Sequence, residues 1–203
     1  MGLDITVLAL DWERLERTPA AERQDALYEA ACPDIDWDAQ PETGWVRPAS
    51  PEVPWADRYE FHSTLGSYKP HFWAGESWDD VRQFAAPALA RALDAFLARL
   101  GVWDDGTDED DDAADPGLFP ADPAPWRPKL LLVCPPATVS EPAAHWSEAE
   151  PLLDGLREEY DTHAAAPGRW IGNFDEFAVL LREWAVVVRA AEQRGWGLLG
   201  LPI

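Results

Sequence analysis

Cysteine, methionine, histidine and lysine are all scarce in this chain of 203 residues. Its two cysteines, Cys32 and Cys134, are too few for the disulfide framework that staples small secreted domains. No apolar run approaches the roughly 20 residues that cross a bilayer, and the N-terminal residues lack the basic start of a signal peptide. These absences predict a cytoplasmic protein with both thiols free and no membrane association.

Basic residues are also in the minority, with 16 Lys and Arg against 38 Asp and Glu. The formal net charge is −22, and eight of the acids fall between Asp104 and Asp115. Removing those eight from −22 still leaves −14, so the acidity is global. An acidic surface repels nucleic acid and anionic membranes. We therefore expect no direct nucleic-acid binding and regard a basic protein as the compatible partner.

Tryptophan and proline are present in excess, with 12 and 19 residues. Tryptophan buries a large ring but needs a partner for its N–H, so this number indicates either aromatic packing layers or an aromatic-lined groove. Packing is the simpler explanation and is favoured. Trp170 and Trp196 stand beside glycines and could line one edge of a groove, but a turn with packing is favoured for them as well.

The strongest helical pattern begins at Asn173 and ends before Gly195. Asn173 is a favoured N-cap residue, and the two acids that follow suit the positive end of the helix dipole. Apolar side chains then recur at helical spacing. Further apolar side chains widen this face: Leu180, Val186 and Val187. We predict a central helix covered on more than one side, followed by a short strand or apolar tail.

The rest of the chain alternates short apolar runs with helical patterns and shows no internal repeat. Strands are predicted at 5–10, 59–64 and 129–134, and helices at 19–31, 77–100 and 141–160. The helices are expected to break near Pro87 and Pro151. The connections include an irregular segment over 33–57 and an acidic, proline-rich surface loop over 104–128. The predicted fold class is α+β: a helix-dominated single domain over 1–203 with a small sheet and a long central C-terminal helix.

The densest mixture of polar and aromatic residues lies between residues 58 and 73. A histidine here could act as a general base, while Tyr68 and Lys69 could bind an anion and Trp73 could stack on a planar ligand. The alternative is a turn whose polar groups satisfy their own backbone, with Ser77 capping the next helix. The candidate binding residues are Arg58, His62, Tyr68, Lys69, His71 and Trp73.

Several motifs of metal and nucleophilic chemistry are missing. The sequence has no HExxH, no CxxC, no P-loop and no GxSxG. The acidic run has enough carboxylates to attract calcium, but it lacks the glycine-centred spacing of an EF-hand. Both cysteines are in settings typical of inert thiols. We therefore predict no metal site and no cofactor, and we identify no catalytic residue.

Three blocks of the chain together resemble one group of proteins. They are MGLDITV at the start, GSYKPHFWAG in the middle, and GRWIGNFDEFAVLLREWA with RGWGLLGLP towards the end. Together they resemble a group of uncharacterised proteins from high-GC bacteria, over most of the chain. The resemblance implies no activity. It does imply that residues 68–73 are a feature of that group.

These observations lead to three functional hypotheses. The first is a binding protein of inhibitor or immunity type for a basic partner such as a nuclease-type toxin, with carboxylates clustered beside exposed aromatic rings. The second is an enzyme or small-molecule-binding protein that uses residues 58–73, with a histidine inside a pocket against the central helix. The third is an accessory protein of a larger assembly that docks through the acidic residues 104–115. We rank the first hypothesis highest.

Overall fold

The sheet at the middle of the molecule is built from five antiparallel strands. The structure, a computed structural model, describes residues 5–32, 43–61, 69–100 and 117–202. The strands within these ranges are β1 (Thr6–Leu10), β2 (Gly44–Val46), β3 (Ala56–Glu60), β4 (Leu132–Cys134) and β5 (Gly197–Leu201). They pair in the order β2-β3-β1-β5-β4, so that β1 lies at the centre.

Helices lie on both sides of this sheet. In the described ranges they are α1 (Trp12–Arg17), α2 (Ala20–Ala31), α3 (Lys69–Val81), α4 (Pro87–Ala98), α5 (Pro136–Ala149), α6 (Arg157–Ala164) and α7 (Phe174–Arg194). Helices α1 and α2 cover one face, and α3 to α7 lie on the other. None of these helices has both the length and the apolar character that crossing a membrane requires.

The side chains of β1 point alternately into the hydrophobic cores on the two faces of the sheet. Val7 and Ala9 belong to the core that contains α7, whereas Leu8 and Leu10 belong to the core that contains α1 and α2. All four are fully buried, because successive side chains of a strand point to opposite faces. The predicted fold class, a helix-dominated α+β domain with a small sheet and a long C-terminal helix, is confirmed.

Helix α7 follows its sequence signals closely. The Asn173 side chain accepts a hydrogen bond from the Glu176 backbone N–H at 2.9 Å, as an N-cap should. Gly195 has φ 64°, the left-handed conformation that ends a helix. Val186 departs from the prediction, since 48% of it is exposed. It lies with Val179, seven residues earlier, on the stripe of the helix that faces solvent.

Helix α3 begins eight residues before the predicted cap at Ser77, at Lys69. Pro70 falls in its first turn, where the missing N–H removes no helical hydrogen bond. Ser77 lies in the middle of the helix. The apolar side of α3 is formed by residues at helical spacing that are all buried: His71, Ala74, Trp78 and Val81.

The remaining differences concern the ends of elements. Strand β3 starts at Ala56 instead of residue 59, and α5 starts at Pro136 instead of residue 141. Strand β2, only three residues long, falls within the segment that was predicted to be irregular. The predicted breaks are present as 3₁₀ segments, Arg82–Phe84 before α4 and Glu150–Leu156 before α6.

Residues 117–128, the described part of the predicted surface loop, pack against α1 and α2. Phe119 is 2% exposed, and its ring centroid lies 5.6 Å from that of Trp12. The Arg23 guanidinium donates to the two Asp122 carboxylate oxygens at 2.5 and 2.9 Å. The loop therefore contributes to the core through Phe119. The acidic run at 104–115 lies outside the described residues.

Candidate functional site

Helix α3 presents two different stripes. Its inner stripe, which starts at His71, is buried against the core. Its outer stripe carries residues spaced by three and four, and these are exposed or half-buried: Trp73, Glu76, Ser77 and Asp80. The two stripes divide the candidate residues of the sequence between the protein interior and the surface.

On the inner stripe, His71 pairs with Glu183 of α7. The His71 Nε2 and Glu183 Oε2 atoms are 2.9 Å apart, and the His71 side chain is completely buried. Burial lowers the pKa of His71, while the hydrogen bond and the charge of Glu183 raise it. Because the lowering dominates, His71 is neutral at pH 7 and donates a hydrogen bond across the α3–α7 interface.

Aromatic rings surround this pair. The Phe61 ring centroid is 4.2 Å from that of His71 and 5.4 Å from that of Trp184. Tyr59 continues the cluster at 4.8 Å from Phe61. Burial, with a smaller contribution from the Glu183 charge, raises the pKa of Tyr59 to about 12. His71 is thus placed as a core residue against the central helix.

The other candidate residues of the stretch 58–73 do not gather around His71. Arg58 points to the opposite side of the sheet, where it pairs with Glu60 at 2.8 Å and donates to the Ala31 carbonyl oxygen at 3.3 Å. Lys69 begins α3, and His62 and Tyr68 lie outside the described residues. Of the described side chains in this set, Trp73 is the one on the outer surface of α3.

Acidification below about pH 6.5 is expected to lower the free energy of unfolding through His71. The folded pKa lies below the ordinary value of 6.5, so the unfolded chain binds the proton more readily. The contribution of neutral His71 to the free energy of unfolding is complete above pH 6.5. It is lost as the pH falls towards the folded pKa. Urea unfolding at about pH 7.5 and about pH 5.5 measures the loss.

His71→Gln is the control, because glutamine retains a donor but does not titrate in this range. This variant should lose less stability on acidification than the unmodified protein. An equal loss in both would show that His71 is not the responsible group.

The outer stripe of α3 forms one wall of an open cleft of about 400 Å³. The opposite wall is the turn at 165–173 between α6 and α7. The cleft is lined by Glu76, Ser77, Asp79, Asp80, Gly168, Arg169 and Trp170. We refer to it as the α3 cleft.

The turn that carries Arg169 and Trp170 is anchored by the N-terminus of α7. Gly168 turns the chain with φ 85°, a conformation that favours glycine. The Glu176 carboxylate accepts from the Gly172 backbone N–H at 2.9 Å while Asn173 caps the helix, a reciprocal capping arrangement. The local sequence therefore fixes the point from which Trp170 projects.

Trp170 stacks on Trp73 at the rim of the α3 cleft. Their ring centroids are 4.7 Å apart and their planes differ by 8°. Trp170 is nevertheless 70% exposed, so the expectation that it packs inside was wrong. The stack covers one face of the Trp170 ring and leaves the other towards solvent.

Negative charge exceeds positive charge in the α3 cleft. Arg169 Nη1 lies 2.5 Å from Asp80 Oδ2, and His163 Nε2 lies 3.6 Å from the same oxygen, too far for a hydrogen bond. Burial and the Arg169 charge lower the pKa of His163, although Asp80 raises it. At neutral pH the lining residues thus present three carboxylates and one guanidinium, an excess of negative charge.

Glycines at 195, 197 and 200 match the spacing of a dinucleotide-binding motif, GxGxxG. That motif runs from a strand into a helix, whereas these residues run from the end of α7 into β5. A Cβ atom at Gly197 would meet the Trp12 ring at 2.3 Å, and one at Gly200 would meet Ile5 at 2.4 Å. Gly197 and Gly200 therefore serve close packing, and Gly195 ends α7.

Metal ligands do not converge in the described part of the chain. Across residues 5–32, 43–61, 69–100 and 117–202, no group of three or more His, Cys, Asp or Glu side chains could hold a metal ion. Cys134 is buried, and this burial raises the pKa of its thiol, which disfavours the reactive thiolate.

Sequence reasoning missed most of the α3 cleft. The spacing of Trp73, Glu76, Ser77 and Asp80 marks one helical stripe, but only once α3 is known to begin at Lys69. The cleft is suited to binding cations, because carboxylates accept hydrogen bonds from cationic donors and an open indole face attracts them.

Searches of protein-family models, curated proteins and solved structures found no match to this chain.

Proposed function

We propose that this protein is an acidic cytoplasmic binding protein, of inhibitor or immunity type, that docks a basic protein partner at the α3 cleft. The observation that carries this proposal is the position of Trp170, 70% exposed, in one cleft with three carboxylates. Tryptophan is one of the residue types enriched among the energetically dominant residues of interfaces.

The net charge of the chain supports the same proposal. At −22 the protein attracts a basic partner over long distance and accelerates its encounter. Long-range attraction alone does not select a docking face. The α3 cleft supplies that selection, because its aromatic rim adds a contact surface beside its carboxylates.

Neutralising the α3 cleft is expected to weaken partner binding strongly. The test captures the protein gently from its source organism and analyses the complex by native mass spectrometry. Wild type should carry a basic protein of fixed mass. The variant Glu76→Gln/Asp79→Asn combined with Trp170→Ala should lose at least about ten-fold in affinity, because it removes two charges and the aromatic contact at the rim of the cleft.

The matched control is Glu22→Gln/Asp25→Asn on α2. This control also neutralises two carboxylates, but they lie on the opposite side of the sheet from the α3 cleft. Retention of the partner by this control and its loss from the cleft variant support the proposal. Equal retention by both variants would contradict the docking site, and equal loss would show that net charge alone decides binding.

The alternative function, recognition of a small molecule or an enzymatic reaction through residues 58–73, is tested by the same spectra. Trp73 places part of that stretch at the α3 cleft. A small added mass instead of a protein would favour this alternative. It would direct mutagenesis to His62, Lys69 and His71.

A further inference from the structure

The α3 cleft combines an open aromatic face with carboxylates, and a similar combination of aromatic ring and carboxylate recurs at two other places in this molecule with an arginine added. Arg194 lies over the Trp196 ring at 4.8 Å while it pairs with the Asp57 carboxylate. Arg23 lies over the Phe119 ring at 4.5 Å while it pairs with Asp122. In both places a guanidinium is held by a carboxylate at its edge and an aromatic ring on its face.

The α3 cleft offers this arrangement to a partner. One face of Trp170 is covered by Trp73, so the ring is held in place and its other face is open. Arg169 already shows that a guanidinium fits this cleft, since it lies 2.5 Å from Asp80. Glu76 and Asp79 line the same cleft and enter no salt bridge with the described residues.

A guanidinium fits these groups better than an ammonium does. It is planar and weakly hydrated, so it can stack on indole while its edge N–H groups donate to carboxylates. A lysine ammonium is a compact and strongly hydrated charge that gains less from the ring face. We infer that the group recognised by the α3 cleft is an arginine side chain of the partner, stacked on Trp170 and hydrogen-bonded to Glu76 and Asp79. This inference rests on the proposed function.

The experiment compares two peptides of equal charge. Each is a Gly/Ser decapeptide with three identical basic residues, arginine in one and lysine in the other, and binding to the full-length protein is measured by calorimetry at low salt. We expect the arginine peptide to bind about two- to five-fold more tightly. Trp170→Leu should bring the two dissociation constants together, whereas Trp170→Phe should preserve part of the difference.

The variants separate the arginine inference from the proposed function. Glu76→Gln/Asp79→Asn should weaken both peptides, and the α2 control Glu22→Gln/Asp25→Asn should leave the arginine preference unchanged. Equal affinity for the two peptides, or a preference that survives in Trp170→Leu, would overturn the arginine inference. Binding of neither peptide would overturn it as well. The proposed function would fail separately, if the native partner were retained by the cleft variant.

Discussion

Replacing His71 with leucine is expected to lower the free energy of unfolding by about 3 kcal/mol or more. The substitution removes the donor 2.9 Å from Glu183, which is itself 7% exposed. A buried carboxylate that loses this donor is compensated less well than before, and that loss costs free energy. Urea unfolding followed by circular dichroism, at a pH near 7, measures the effect.

The double variant His71→Leu/Glu183→Leu tests the cause. If the cost comes from the charge of a carboxylate that has lost its His71 donor, then removing that carboxylate as well should restore much of the stability, as apolar replacement of buried polar pairs often does. Glu183→Gln should cost less than His71→Leu. If the double variant loses as much stability as His71→Leu and Glu183→Leu lose in sum, then packing, not the buried charge, dominates.

Replacing Arg23 with methionine is expected to cost about 3–5 kcal/mol. Arg23 is 2% exposed, and it holds Asp122 together with three backbone carbonyl oxygens. Those carbonyls belong to Leu15, Glu16 and Thr18, at the C-terminal end of α1, where helices leave acceptors unpaired. Methionine keeps most of the apolar stem and removes every donor. Equilibrium urea unfolding gives the difference in free energy.

Arg17→Met is the control for Arg23. Arg17 forms an exposed pair with Glu13 at 3.8 Å, so its loss should change the stability by less than about 0.5 kcal/mol. The comparison holds the residue type and the chemical change constant and varies only burial and bonding. Similar values for the two variants would contradict the role assigned to the Arg23 network.

The sequence predicted the fold best where its signals are local. Asn173 and Gly195 mark the two ends of α7 by capping chemistry that acts within one turn. Ser77 gave a false signal of the same kind, because a serine followed by two acids resembles a helix start. Strand β2 has three residues and exists through its pairing with β3, so periodicity within it carries little information.

The candidate site was harder to predict for a physical reason. Trp73 and Trp170 are nearly a hundred residues apart in the chain, and their stack depends on how α3 meets the turn before α7. Composition suggested that tryptophans pack inside, which holds for Trp146 and Trp184 but not for Trp170. His71 was named as a candidate binding residue, whereas its partner Glu183 lies within the apolar pattern of α7, where sequence reasoning sought only packing.

The central position of β1 also makes the sheet depend on contacts between residues far apart in the chain. Its two neighbours are β3 and β5, and β5 lies at the far end of the described chain. Pairing of Thr6 with Leu201 therefore closes a loop that contains nearly every other element. Such long-range contacts raise the contact order and slow folding. We expect the contacts between neighbouring helices such as α6 and α7 to form early, and the sheet to assemble as a late step.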